Sequence, residues 1–197
     1  MHIRNTILCL AAALLWATYS SDKASGQSYE LDAAYNGYVT LNQQGRYSEA
    51  EPYAKEALRL GTEEFGPDHP GLATDLNNLA ELYHAQGKYA VAEPLHKRAL
   101  AIKEKALGPE HPDVAASLNN LAVLYRVQGK YAEAELLHQR SLAIWKKALG
   151  SEHPDVATSL ENYAALLRET GRDAEATKME ARAASIRAKH LERNPAN

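Results

Sequence analysis

Histidine and glutamate occur twice at a spacing that could bind a metal ion. Glu93 and His96, and again Glu135 and His138, form the Glu-x-x-His pattern that di-iron bundles carry on two helices. Such a site also needs a carboxylate from each of two further helices, all aimed inward. Each histidine here falls on the apolar stripe of its own helix, which favours a core or boundary histidine with satisfied hydrogen bonds over a metal ligand.

A second histidine series could bind a metal only if its members converged on one ion. His69, His111 and His153 are 42 residues apart, and a proline follows each of them. Ligand atoms lie about 2 Å from a bound zinc ion, whereas equivalent positions in a stack of packed helices lie roughly 10 Å apart. These histidines are therefore predicted to be corner residues in front of a helix.

The sequence contains no motif that would activate a catalytic group. Calcium-binding loops, Gly-rich phosphate-binding loops, His-Glu-x-x-His and Gly-x-Ser-x-Gly are all absent from it. With 22 Lys and Arg against 25 Asp and Glu, a net charge of −3, it also lacks the basic excess of a nucleic-acid-binding protein. The sequence predicts a protein that is not an enzyme, with no metal, no cofactor and no nucleic-acid partner.

Residues 1–26 have the pattern of a bacterial secretory signal peptide. A positive start at Arg4 precedes an uncharged run of 12 residues, Thr6–Ala17, and a membrane-spanning helix needs about 20. Small residues then lead to an expected cleavage before Gln27, with cleavage after Ser20 as the second option. We expect a periplasmic or secreted protein with no stable membrane insertion after cleavage. An uncleaved N-terminal anchor is the alternative.

A period of 42 residues organises the rest of the chain. Gly45, Gly87, Gly129 and Gly171 are spaced by this period. Aligning residues 76–115 with residues 118–157 gives 30 identical residues out of 40 without a gap. Such an array is made of supersecondary units that stack on their neighbours.

Within one period the apolar spacing is helical. Val114, Leu118, Leu121 and Tyr125 lie on one stripe of a 3.6-residue period, and Gly129 follows at a suitable helix end. A second stripe begins at once, and no stretch alternates with a period of two. The sequence predicts an all-α fold of four helix pairs, which span residues 29–64, 71–107, 113–149 and 155–192, followed by a tail, 193–197.

The repeated motifs resemble those of the tetratricopeptide repeat. They are Leu-Asn-Asn-Leu-Ala-x-Leu-Tyr, Gln-Gly-Lys-Tyr-x-x-Ala-Glu and Leu-Gly-x-x-His-Pro-Asp-Val-Ala, and their 42-residue period is similar to the form in kinesin light chain. The resemblance covers about residues 31–184 and departs from the pattern at Glu161 and in the two outer pairs. It implies a right-handed α-solenoid of about four helix-turn-helix units that acts as a protein–protein interaction scaffold and binds protein segments.

The resemblance also implies where a ligand would bind, because the first helix of each pair lines the concave surface in this family. An Asn amide offers both a donor and an acceptor, so it can pair with the backbone of an extended peptide of any sequence. The alternative is that these amides bond neighbouring backbone or water. The basic members of the set could favour acidic side chains in the ligand or form a merely solvated face. The predicted groove residues are Asn77, Asn78, His84, Asn119, Asn120, Arg126, Asn162 and Arg168.

A different class of function is a structural subunit that associates through its ends or its convex face. Trp145 stands where the preceding unit has Lys103, near the end of a second helix. A large aromatic residue there either marks a contact surface or fills the gap beneath the longer helix. The sequence alone leaves both interpretations open.

Overall fold

The computed structural model describes residues 29–193, and every regular element among them is an α-helix. The predicted leader, 1–26, and residues 194–197 of the predicted tail lie outside the described residues. The helices are α1 (29–43), α2 (Tyr47–Phe65), α3 (Pro70–Ala85), α4 (Tyr89–Leu107), α5 (Pro112–Val127), α6 (Tyr131–Leu149), α7 (Pro154–Glu169) and α8 (Asp173–Arg193). None of these helices is long and apolar enough to cross a membrane.

The chain divides into two compact units, Met1–Pro67 and Asp68–Asn197. In the described part, the first unit holds α1 and α2, and the second holds the three helix pairs from α3 to α8. Within the second unit each helix packs on the next one in the chain, and α5 also contacts α7. One continuous solenoid over residues 27–192 remains a prediction.

The first unit is a small helix pair with a close approach between its two helices. A Cβ atom added to Gly37 in α1 would lie 2.4 Å from the ring of Tyr53 in α2. Any other residue at this position would therefore have to displace the aromatic ring. This approach explains why Gly stands at position 37 although the next repeat has Leu79 there.

The second unit has a core of buried apolar side chains contributed by the four successive helices α5 to α8. Trp145 lies in this core with only 6% of its surface exposed. Trp145 therefore fills the space between α6 and the helices packed against it, and it does not form part of an exposed contact surface. Its burial decides between the two interpretations of this residue. The main members of the core are Val114, Leu118, Leu142, Trp145, Val156, Leu160 and Ile186.

The three His-Pro dipeptides begin the first helices of the second unit. His69, His111 and His153 are the N-cap residues, and the Nδ1 atom of each accepts a hydrogen bond from the backbone N–H two residues later, at 3.1–3.2 Å. The following proline occupies the first helical position, where its missing N–H costs no hydrogen bond. For this reason α3, α5 and α7 begin one residue earlier than the sequence pattern predicts.

The turn between the two helices of a pair depends on a left-handed glycine. Gly129 has a φ of +74°, and the backbone N–H of Lys130 bonds the carbonyl of Tyr125 at 2.9 Å. This bond satisfies one of the carbonyls that the end of α5 leaves open. The geometry lets α6 start at Tyr131 and run back along α5.

Candidate functional site

A concavity of about 250 Å³ lies across the first helices of the three pairs in the second unit. Its walls come from α3, α5 and α7, and its floor includes one histidine of α4. Most of the lining side chains are amides, carboxylates or imidazoles, so the site is polar. The lining residues are Glu81, His84, His96, Asn119, Asn120, Val123 and Asn162.

Three of the predicted groove amides are not buried, and two of them, Asn120 and Asn162, line the concavity. Asn78, Asn120 and Asn162 are each partly exposed. Asn120 Nδ2 donates a hydrogen bond to Glu81 Oε1 at 2.9 Å, which links α5 to α3. The amides of Asn78 and Asn162 bond no other described residue, so both are available to a ligand.

The two other predicted amides are buried. Asn77 is 7% exposed and Asn119 is 5% exposed. Asn77 lies beneath the groove surface, because His96 Nδ1 donates to its Oδ1 at 2.9 Å and its Nδ2 donates to Ser117 Oγ at 3.3 Å. The expectation that Asn77 faces a ligand is therefore corrected. Asn119 still borders the concavity, although its Oδ1 atom is buried and has no hydrogen-bond partner within residues 29–193.

A sequence signal for this burial exists in the spacing. Asn77 lies four residues after Ala73 and three residues before Ala80, and both alanines are fully buried. Residues three and four apart share a helix face. The alanines therefore place Asn77 on an inward face, although the adjacent Asn78 points outward.

The two arginines among the predicted basic residues are neutralised by carboxylates of the same chain. Arg126 forms an ion pair with Glu169, and Arg168 binds Glu180 at 2.6 Å. His84 is half-buried, and its burial together with the charge of Arg126 lowers its pKa below the ordinary histidine value. Contact of these three residues with an acidic ligand stays a prediction, and the positive charges of Arg126 and Arg168 are already compensated.

Glu81 is the charged residue that sequence reasoning undervalued. Its side chain is accessible to solvent but enclosed by the walls of the concavity, and this loss of water raises the pKa of its carboxyl. The hydrogen bond from Asn120 acts in the opposite direction. No cation of the described residues forms an ion pair with Glu81, in contrast to Glu161, which binds Arg187 at 2.6 Å.

The two Glu-x-x-His pairs do not converge on a common point. His96 and His138 are buried at 2% and 0% exposure, and burial is the main cause that lowers the pKa of each to about 4. Glu93 instead binds Lys97 and Lys130, each at 2.7 Å. No group of three metal-ligating residues forms in the described part of the chain. Both histidines are core residues, as the apolar stripe predicts. His96 has a hydrogen-bond partner in Asn77, but both ring nitrogens of His138 have none within residues 29–193, so the expectation of a satisfied histidine is wrong there.

The comparison with protein families identifies the chain. The model of the tetratricopeptide repeat family matches residues 33–105, 76–144 and 113–189, which together cover most of the sequence. The chain belongs to the tetratricopeptide repeat family. No curated protein matches it significantly. This family assignment supports a protein–protein interaction scaffold in general terms, and its members are typically not enzymes.

Solved structures share the fold. BtubC (BKLC) from P. vanneervenii has a TM-score of 0.71 at 23% identity, over 91% of this chain and 79% of the other. A kinesin-light-chain-like protein from Podosopora anserina with nearly identical TPR-like repeats has a TM-score of 0.69 at 28% identity, over 82% and 76%. MamA has a TM-score of 0.58 at 15% identity, over 82% and 81%. The predicted all-α fold and the kinesin-light-chain-like repeat are both confirmed.

Proposed function

We propose that this protein is an exported scaffold that binds an extended segment of a partner protein along α3, α5 and α7. The observation that carries the proposal is the polar concavity that crosses these three helices. Asn78 and Asn162 present amides on the helices at either side of it, and neither amide bonds another described residue. A peptide backbone is the ligand that paired donors and acceptors fit best.

The spacing of the repeats sets the length of the bound segment. Packed helices lie 8–10 Å apart, and an extended chain advances about 3.3 Å per residue. Each repeat therefore accommodates about three ligand residues, and the three pairs of the second unit accommodate about nine. This length is short enough for a linear segment and long enough to contact every amide.

A display selection tests this proposal. A library of random nine-residue peptides is selected on the purified protein and on the double variant Asn78→Ala/Asn162→Ala. Peptides enriched on the wild type should bind the variant at least ten-fold more weakly, because two backbone contacts are lost. The thermal unfolding curve should stay unchanged, since neither amide supports the fold.

The matched control is the double variant Leu136→Ala/Lys178→Ala on the exposed faces of α6 and α8. It should bind the selected peptides as the wild type does. Equal binding by all three proteins would remove the concave face as the site. Weaker binding by the control variant alone would show that the binding site lies on the second helices of the pairs. That result would favour association through the surface that these helices form.

Export is the second part of the proposal and is supported by the pattern of residues 1–26. The complete sequence is expressed in a bacterial host, the cells are fractionated, and the mass of the purified protein is measured. We expect a new N-terminus at Gln27 in the periplasm or the medium. An intact Met1 in the membrane fraction would instead support the uncleaved anchor.

A further inference from the structure

We propose that the bound segment places a lysine or arginine side chain against Glu81. This inference rests on the proposed function and specifies the chemistry of the partner. From the sequence, the basic residues could favour an acidic ligand or form a merely solvated face, and the inference differs from the first of these options. The reason for the difference is the way in which charges are compensated along the groove.

The two arginines of the predicted groove and Arg187 already have carboxylate partners. Arg126 binds Glu169, and Arg187 binds both carboxylate oxygens of Glu161 at 2.6–2.7 Å. An acidic ligand would have to compete with these pairs. The residues that line the concavity include Glu81 and contain no Lys or Arg. The uncompensated charge of the concavity is therefore negative.

A lysine of the neighbouring helix acts on Glu81 without forming an ion pair with it. Lys103 in α4 interacts with Glu81 electrostatically, but no ion pair joins the two side chains. Burial lowers the pKa of Lys103 and raises the pKa of Glu81. Both shifts have the sign expected for charges that have lost water without gaining an ion-pair partner. A ligand cation would supply the partner that Glu81 lacks.

A second unsatisfied acceptor borders the same concavity. Asn119 is 5% exposed, and its Oδ1 atom has no hydrogen-bond partner within the described chain. A buried acceptor without a donor is unfavourable. An ammonium carries three donors and a guanidinium five. A small shift of the Asn119 amide would let such a group bond Glu81 and Asn119 together, which a neutral apolar side chain cannot do.

A metal ion fits this place less well than an organic cation. Glu81 is the only carboxylate among the residues that line the concavity. No cluster of three metal-ligating residues includes it in the part that the structure describes. One carboxylate with amide neighbours suits one lysine or arginine side chain.

The test uses the same random nine-residue library on the wild type, on Glu81→Gln and on Glu133→Gln. Glu133→Gln is the matched control, because it removes the same charge from an exposed position in the first turn of α6. The wild type and the control should both enrich Lys or Arg at one fixed peptide position. Glu81→Gln should lose this enrichment.

A synthetic peptide from the wild-type pool gives the quantitative result. Replacing its fixed Lys with Met should weaken binding about ten-fold on the wild type, a typical effect of a charge-assisted contact. The same replacement should change binding less than two-fold on Glu81→Gln. Equal losses on both proteins, or enrichment of Asp and Glu by the wild type, would overturn the inference.

The failure of this inference is distinguishable from the failure of the proposed function. Peptides that need Asn78 and Asn162 but show no basic position would uphold groove binding and overturn the role of Glu81. A library without any peptide that needs those amides would overturn both. Thermal unfolding of Glu81→Gln should match the wild type, because the substitution keeps the shape of the side chain.

Discussion

Two buried polar layers of the second unit share the same residue types but differ in their bonds. The first polar layer consists of Asn77, His96 and Ser117. His96 Nδ1 donates to Asn77 Oδ1 at 2.9 Å, and Asn77 Nδ2 donates to Ser117 Oγ at 3.3 Å. This layer joins three helices, α3, α4 and α5, through one amide.

The second polar layer lies 42 residues later and consists of Asn119, His138 and Ser159. Asn119 Oδ1, both ring nitrogens of His138 and Ser159 Oγ have no hydrogen-bond partner within residues 29–193. His138 instead stacks on Tyr163, with ring centroids 5.7 Å apart and an interplanar angle of 16°. The same three residue types therefore give a bonded layer in one place and a stacked histidine in the other.

The neighbouring helix accounts for this difference. Tyr163 in α7 occupies the position that Leu121 has in α5. Its hydroxyl donates to Glu135 Oε1 at 2.6 Å, and that bond holds the aromatic ring over His138. In a repeat protein, the contacts of a buried polar residue therefore depend on the next repeat as well as on its own.

The largest expected effect is acid destabilisation through the histidines of both layers. The pKa of His96 and of His138 is about 4 in the folded chain, from burial first and then from the charges of His84 and Arg126 respectively. The unfolded chain binds these protons near pH 6.5. Stability is therefore complete above about pH 6.5 and is lost as the pH falls towards 4, by at most about 3 kcal/mol per histidine.

Urea unfolding at a series of pH values between 7 and 4.5 measures this loss. The single variants His96→Leu and His138→Leu should each flatten the pH dependence of the free energy of unfolding. Glu93 has a pKa of about 2, below the ordinary carboxylate value near 4.5. Its contribution to the free energy of unfolding is therefore lost only as the pH falls from about 4.5 towards 2. A wild-type stability that stays constant between pH 7 and pH 5 would contradict the prediction.

A smaller effect separates the two layers at neutral pH. His96→Leu leaves the buried Oδ1 atom of Asn77 without its donor, and this should cost about 1–3 kcal/mol. His138→Leu removes no hydrogen bond and loses only the stacking on Tyr163, so its cost should stay below about 1 kcal/mol. The free energies of unfolding of the two variants at pH 7 decide the matter. Equal losses would mean that the layers are bonded alike in solution.

Much of this architecture was predictable from the sequence, because the 42-residue period and the apolar stripes define the helix pairs. The described helices agree with the predicted ones to within one residue. At the starts of α3, α5 and α7 the difference comes from His153 and its equivalents, which form the caps and leave the following proline as the first helical residue. That role was missed, although His-Pro before a helix carries the signal.

The candidate site was less predictable. The motif gives the same expectation for Asn77 and Asn78, and only the buried alanines on either side separate them. The pairing of Arg126 with Glu169 depends on contact between α5 and α7, across 43 residues. A helix wheel assigns each side chain a direction, but it does not show which residue of the next repeat neutralises the charge of that side chain. For this reason the sequence left open whether the basic residues favour an acidic ligand or form a solvated face. The structure pairs Arg126 and Arg168 with carboxylates and leaves Glu81 without an ion pair to another described residue.

The smallest expected effect tests what holds the ring of Tyr163 over His138. Tyr163→Phe keeps the aromatic ring but removes its hydrogen bond to Glu135, which should cost about 0.5–1.5 kcal/mol. The matched variant in the preceding repeat is Tyr125→Phe, whose hydroxyl lies 3.4 Å from Glu93 and makes a poorer bond.

Tyr125→Phe should therefore cost less than Tyr163→Phe in urea unfolding at pH 7. In the double variant Tyr163→Phe/His138→Leu the two losses should not add, because the residues are in contact and share the stacking. Additive losses would show that the hydroxyl stabilises Glu135 alone and does not position the ring. The difference between the layers would then come from the shape of the Tyr163 ring, and replacing Leu121 with Phe should be enough to stack a ring on His96.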